Sequence, residues 1–164
     1  MSPSTPRWLN AEERRAWLAY IGAGVLLDDY LDRQLRKDIG ITHPDYVLLN
    51  ILQSAPDHAL SMSELAEHLK ITRSRLTHAV TRLEAAGYVA RREHPTDHRG
   101  QLATITSAGR ELLERAAPGH IGAVRQAVFD ALTPEQVRQL GEISEAIATA
   151  VEGVTPGPLP WHRR

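Results

Sequence analysis

The chain has 164 residues, 42% of them hydrophobic and 24% charged, which suits one sizeable core, or a small domain plus a subunit interface. It contains no cysteine, which excludes disulfides, thiolate metal sites and a cysteine-based peroxide sensor; with only Met1 and Met62, methionine oxidation is a poor trigger as well. The net charge of −1 hides a division: between residues 70 and 99, Lys70, Arg73, Arg75, Arg82, Arg91, Arg92 and Arg99 outweigh Glu84, Glu93 and Asp97 by +4, leaving −5 elsewhere and focusing phosphate attraction on one face.

No apolar run approaches the roughly 20 residues that span a bilayer. The N-terminal Met-Ser-Pro-Ser-Thr-Pro has neither the basic nor the apolar region of a signal peptide. A cytoplasmic protein with no membrane partner is expected. Residues 1–10 and 153–164, rich in Pro, Gly and Arg without periodicity, read as mobile tails.

A long helix is expected from Ala11 to about Lys37, ended by Gly40. Its apolar residues Trp17, Leu18, Ile21, Val25, Leu27, Leu31 and Leu35 spread wider than one stripe, which suggests burial against both its own domain and a partner. Thr42-His-Pro-Asp45 has the spacing of a capping box, with Asp where Glu or Gln is usual, and opens a core helix carrying Tyr46, Val47, Leu48, Leu49, Ile51 and Leu52. Ser54 to His58 closes it. Ser61-x-x-Glu64 is a second capping box and opens a short helix, followed by a tight turn and a further helix after Thr72.

At about 100° per residue, Leu76, Ala79, Val80 and Leu83 form the inner face of that further helix. Ser74, His78 and Thr81 point away from them with Thr77 close by; Arg75 and Arg82 lie along the flank, and Arg73 sits in the first turn. Between Glu67 and Glu84 there is no acid. Such an outward face can be an ordinary solvated one, but short polar side chains let a helix lie deep in a groove while flanking arginines reach phosphates or guanine edges. Two strands, about Tyr88 to Glu93 and Gln101 to Thr106, follow as a hairpin with Val89 and Ile105 inward. Its tip, His94-Pro-Thr-Asp-His-Arg-Gly100, carries Asp97, His98 and Arg99; an arginine there can enter the narrow minor groove, with Asp97 bracing it.

From Thr106 a helix is expected to about Leu132, kinked or interrupted at Pro118-Gly119. Thr133-Pro-Glu-Gln136 caps another, with Val137, Leu140, Ile143, Ile147 and Val151 on one stripe. Two helices with continuous apolar stripes outside the reading core ask for a partner, and a second copy of the chain is the natural one. The fold expected is mainly α with a small β-hairpin wing: a winged helix-turn-helix over residues 41–106 and a helical dimerisation region formed by 11–40 and 107–152.

Ser-Glu-Leu-Ala-Glu-His-Leu, Ser-Arg-Leu-Thr-His-Ala-Val-Thr-Arg-Leu-Glu-Ala-Ala-Gly-Tyr-Val and Asp97-x-Arg99 joined to Ile105-Thr106-x-x-Gly109 resemble the MarR-type (multiple antibiotic resistance) bacterial transcription regulators. The resemblance covers about residues 11–152. It implies a homodimer on a pseudo-palindromic double-stranded operator, acting commonly as a repressor relieved by a small ligand, often a phenolic or other aromatic acid, with no cofactor. By position, residues 73–82 fall in the recognition helix, so Arg73, Ser74, Arg75, Thr77, His78, Thr81 and Arg82 are the expected DNA contacts, joined by Asp97, His98 and Arg99 of the wing. The family's ligand pocket lies where the dimerisation helices meet the reading domain, which here includes Trp17, Tyr20, Tyr30, His43 and Tyr46; packing competes with ligand binding for each of them.

Two other readings compete. Eight histidines allow a zinc or other metal-responsive regulator on the same fold, with His94, Asp97 and His98 close together and His68 and His78 nearby in sequence, although no strong ligand motif is present. A winged-helix module that binds protein would not need an acid-free ridge. An enzyme is not expected, since there is no nucleophile elbow, phosphate-cradling glycine loop or supported His/Asp/Ser arrangement.

Overall fold

A computed structural model describes residues 7–93 and 100–152. Six helices and three short strands follow in the order α1 (Ala11–Ile39), α2 (His43–Ser54), β1 (Ala59–Ser61), α3 (Met62–Leu69), α4 (Arg73–Ala85), β2 (Val89–Glu93), β3 (Gln101–Ile105), α5 (Ser107–Ala127) and α6 (Pro134–Glu152). The strands form an antiparallel sheet in the order β1-β3-β2. This is the mainly helical winged-helix architecture expected from the sequence.

Local chemistry sets the boundaries. Asn10 and Glu13 exchange side-chain and backbone hydrogen bonds at 2.8 Å to open α1. Gly40 closes it at φ 76°, where its N–H reaches the carbonyls of Leu35 and Arg36, a left-handed stop that glycine adopts without cost to a Cβ. Reciprocal caps also start α2 at Thr42 and Asp45, α3 at Ser61 and Glu64, and α6 at Thr133 and Gln136. Thr106 is the N-cap of α5 rather than a strand residue, accepting from the Gly109 N–H and donating its hydroxyl to the Gly87 carbonyl.

Gly109 has to be glycine for another reason. A Cβ there would lie 2.4 Å from the Tyr88 carbonyl oxygen and 2.7 Å from Ile105 Cγ1, so the first turn of α5 could not seat against the start of the hairpin.

The core joins Leu48, Leu49, Ile51 and Leu52 of α2 to Leu65 of α3, to Leu76, Val80 and Leu83 of α4, to Ala103 of β3 and to Leu112 of α5. Val89 and Ile105 are buried and opposite one another in the β2–β3 register, the inward pair expected for the hairpin. Strand β1 carries no signal of its own in the sequence. It is three residues long with no alternating pattern, and it exists because Ala59, Leu60 and Ser61 pair with Thr104, Ala103 and Leu102 of β3.

α5 differs from expectation as well. It runs without interruption through Pro118 and ends at Ala127, followed by a single 3-10 turn, Phe129–Ala131. Proline removes one hydrogen bond there, but the small face of Ala116, Gly119 and Ala123 holds the helix against α1. Gly119 comes so near that a Cβ would stand 3.0 Å from Asp38 Oδ2 and 3.3 Å from Gln34 Nε2.

α1 is anchored only through its second half, where Leu31 and Leu35 are buried. Trp17, Leu18, Ile21, Val25 and Leu26 of its first half are exposed, and α6 buries none of its described side chains although Leu140, Ile143, Ile147 and Val151 line one stripe.

Candidate nucleic-acid interface

α3, a turn at Lys70-Ile71-Thr72 and α4 form the helix-turn-helix. The turn is tight because Lys70 takes a left-handed conformation (φ 52°) and the Ile71 N–H reaches the Ala66 carbonyl at 3.1 Å. Thr72 then caps α4 by accepting from the Arg75 N–H. With Leu76, Val80 and Leu83 buried, Arg73, Ser74, Arg75, Thr77, His78, Thr81 and Arg82 are all exposed. The ridge inferred from helical periodicity is therefore the surface of the domain.

These side chains divide into free and braced groups. Ser74, Arg75 and His78 make no side-chain hydrogen bond to another described residue. Thr77 donates to the Arg73 carbonyl in its own helix at 2.9 Å. Arg73 donates Nη2 to Ser63 Oγ at 2.8 Å and so ties α4 to the start of α3.

Two larger ties were not legible from local sequence. Arg91 of β2 reaches across to α4: Nη1 lies 2.7 Å from Glu84 Oε2, and Nη2 lies 2.8 Å from Thr81 Oγ1 and 3.3 Å from the Thr77 carbonyl. Its backbone N–H also donates to Glu84 Oε1. The start of the hairpin is thereby fastened to α4, and Thr81 is partly occupied by this tie. The second joins Arg82 Nη2 to Asp45 Oδ1 at 2.5 Å, linking α4 to the capping turn of α2. Asp97, His98 and Arg99, the expected wing contacts, lie outside the described residues. At the described part of the wing, Arg92 is exposed and its Nε donates to Thr104 Oγ1.

The five residues expected at a ligand pocket separate into three places. His43 and Tyr46 come together where α1, α2 and α5 meet, around His120, which the sequence reading did not single out. The His120 ring centroid is 4.4 Å from that of Tyr46 and 5.8 Å from that of His43. His43 Nδ1 is 2.8 Å from Asp28 Oδ1, and its backbone N–H donates to Asp32 Oδ1 at 2.8 Å. Burial, and then the neighbouring His43, push the His120 pKa down; burial pushes the Tyr46 phenol up against the opposing bond from Asn50. Asp32 is held below the usual carboxylate range by its bonds from Arg36 and from the His43 backbone. Tyr30 instead donates to Gln126 Oε1 at 3.1 Å, beside a groove between α1 and α5 that includes Lys37 and Gly122. Trp17 and Tyr20 are exposed neighbours of each other on the first half of α1, with centroids 6.3 Å apart. Among the described residues no group of three His, Asp or Glu side chains is arranged to hold a metal ion, and no helix is long and apolar enough to cross a membrane.

Comparison with known proteins agrees with this geometry. The MarR family model matches residues 39–100, the stretch from the end of α1 to the start of β3. The HTH-type transcriptional repressor YetL of Bacillus subtilis is 31% identical over 113 residues, covering 66% of this chain and 67% of YetL. The HTH-type transcriptional repressor Rv2887 of Mycobacterium tuberculosis is 33% identical over 111 residues, covering 68% of this chain and 78% of that protein. The crystal structure of Sco3205, a MarR family transcriptional regulator from Streptomyces coelicolor in complex with DNA, superposes with a TM-score of 0.85 at 53% identity, covering 98% of this chain and all of that one. AbsC, a second MarR family regulator from the same organism, gives 0.83 at 34% identity, over 90% of this chain and 99% of AbsC. The chain belongs to the MarR family of DNA-binding transcriptional regulators.

Proposed function

We propose that two copies of this chain bind a pseudo-palindromic operator and repress transcription there, by binding rather than catalysis, until a small aromatic effector releases them. The observation that carries the reading is the outward ridge of α4: exposed along its length, free of acids, and flanked by Arg73, Arg75 and Arg82. Two such helices would enter successive major grooves about 34 Å apart. Ser74 and His78 would then face base edges, with the arginines on phosphates or guanines and Arg99 of the wing in the minor groove.

Residues 41–106 act as the reading domain in this proposal, and 11–40 with 107–152 as the dimerisation region. Support for the second copy comes from the large apolar side chains left exposed on α1 and α6, which would be costly on a monomer. Support for the effector site comes from His43, Tyr46 and His120, which gather aromatic faces and polar atoms where the dimerisation helices meet the reading domain. A ligand there must favour one spacing of the two reading heads to have any effect. The repressor names carried by YetL and Rv2887 and the DNA complex of Sco3205 agree with this reading.

The test is fluorescence anisotropy on a duplex enriched from a random library, titrated from 50 to 200 mM salt. If Arg73, Arg75 and Arg82 each meet one phosphate in both subunits, the log–log slope is about −5. A flat response contradicts the proposal and favours a protein-binding module. Arg99→Ala is expected to weaken binding by about 1–3 kcal/mol while leaving the melting temperature unchanged.

A further inference from the structure

We infer that Asp45 is a positioning residue for DNA recognition: from the first turn of α2 it fixes the guanidinium of Arg82 on the recognition helix and presents it to the operator backbone. The inference rests on the DNA-binding reading above and assigns a role that lies outside the reading helix itself.

The two side chains sit in opposite surroundings. That of Asp45 is 4% exposed, whereas that of Arg82 is 57% exposed, and Nη2–Oδ1 is 2.5 Å. Capping alone does not account for the carboxylate. The Thr42 N–H reaches Asp45 Oδ2 at a long 3.4 Å, so the group is committed to the arginine more than to its own helix. Asp in place of the usual Glu or Gln is shorter, which suits a carboxylate that must stay down in the core and meet a partner 37 positions away.

A buried carboxylate is tolerated when a cation and further hydrogen bonds satisfy it. Stability alone would be served equally well by an apolar pair, which leaves the exposed half of the guanidinium to be explained. One Nη is spent on Asp45; Nε and Nη1 remain for an external acceptor. Arg75 and Arg82 are seven residues apart, hence on one stripe of α4 about 10 Å from each other. Arg75 carries no hydrogen bond to another described residue through its side chain, so the stripe pairs one adaptable arginine with one held in place. A held arginine has less rotamer freedom to lose at a phosphate, worth about 2- to 10-fold in affinity for each subunit.

The same α2 turn is tied in the other direction. The His43 N–H and ring engage Asp32 and Asp28 of α1, and the ring lies against His120 of α5. One turn of helix thus links the dimerisation helices to the DNA-facing arginine.

The experiment uses full-length wild type, D45N and the double variant D45N/R82M on a library-selected duplex, with affinity measured as a function of salt. D45N is expected to bind about 5- to 100-fold more weakly as a dimer with the salt slope retained, because the charge is kept and only its placement is lost. D45N/R82M, which removes both charges together, is expected to lower the slope by about 2, one phosphate per subunit. Wild-type affinity in D45N, or an undiminished slope in the double variant, overturns the inference. Should D45N fail to fold, arginine side-chain NMR of the unmodified protein decides: Arg82 must show separate, slowly exchanging Nη protons both free and DNA-bound, and averaged signals overturn the inference. Failure of the wild type to bind any duplex would instead remove the DNA-binding reading itself.

Discussion

Replacing Ile143 with alanine tests whether α6 contributes to the proposed subunit interface. This residue is 57% exposed on a helix that buries no described side chain of its own protomer. Full burial of an isoleucine side chain contributes about 1.5–3 kcal/mol, so covering the exposed fraction contributes about 0.9–1.7 kcal/mol. A two-fold interface uses the residue twice, giving about 1.7–3.4 kcal/mol, or roughly 20- to 300-fold in the dimer dissociation constant. Alanine keeps the helix propensity, and with no buried side chain of α6 disturbed, the fold of each subunit should be unaffected. Sedimentation equilibrium over nanomolar to micromolar concentrations reads the constant, and far-ultraviolet circular dichroism checks the helix content. An unchanged dissociation constant would refute the assignment of this stripe to the interface; a wild-type protein monomeric at micromolar concentration would refute the dimer.

Two predictions concern the protomer. Gly109→Ala forces a Cβ to within 2.4 Å of the Tyr88 carbonyl oxygen, and the resulting shift should cost about 1–3 kcal/mol. At about 2–4 °C per kcal/mol the melting temperature should fall by roughly 2–12 °C, and an unchanged value would show that the α5–hairpin seat is not tight. His120 has its pKa lowered by burial and by His43, so the folded protein resists a proton that the unfolded chain accepts. The stability this contributes is complete above the ordinary histidine value of about 6.5 and is lost as pH falls below it. His120→Asn should flatten the decline in melting temperature between pH 7 and 5 relative to wild type, and an identical decline in both proteins would contradict it.

How much of this was readable in advance depended on how local the signal was. The caps at Thr42, Ser61 and Thr133, the stop at Gly40 and the buried face of α4 are written within a few residues, and the structure places them as periodicity and capping chemistry require. Asp45 was visible as an oddity in its capping box, but its partner Arg82 lies far along the chain and nothing local names it. The same holds for Arg91, whose side chain braces Glu84 and Thr81 although its charge alone suggested a phosphate contact. Strand β1 is stabilised by β3 rather than by its own sequence, and Pro118 is carried within α5 by packing on α1; tertiary contacts override local propensity in both. Of the aromatic residues expected at a pocket, only His43 and Tyr46 gather around His120, because exposed rings such as Trp17 carry the same composition signal as rings that line a cleft.

The central claim, that the outward ridge of α4 reads base edges, is tested most directly by comparing the sequences that wild type and the R75A/H78A double variant enrich from one random duplex library. The account predicts that the variant loses preference at one or two base pairs, placed symmetrically in the two half-sites, and keeps the others. Identical enriched sequences for the two proteins would contradict it.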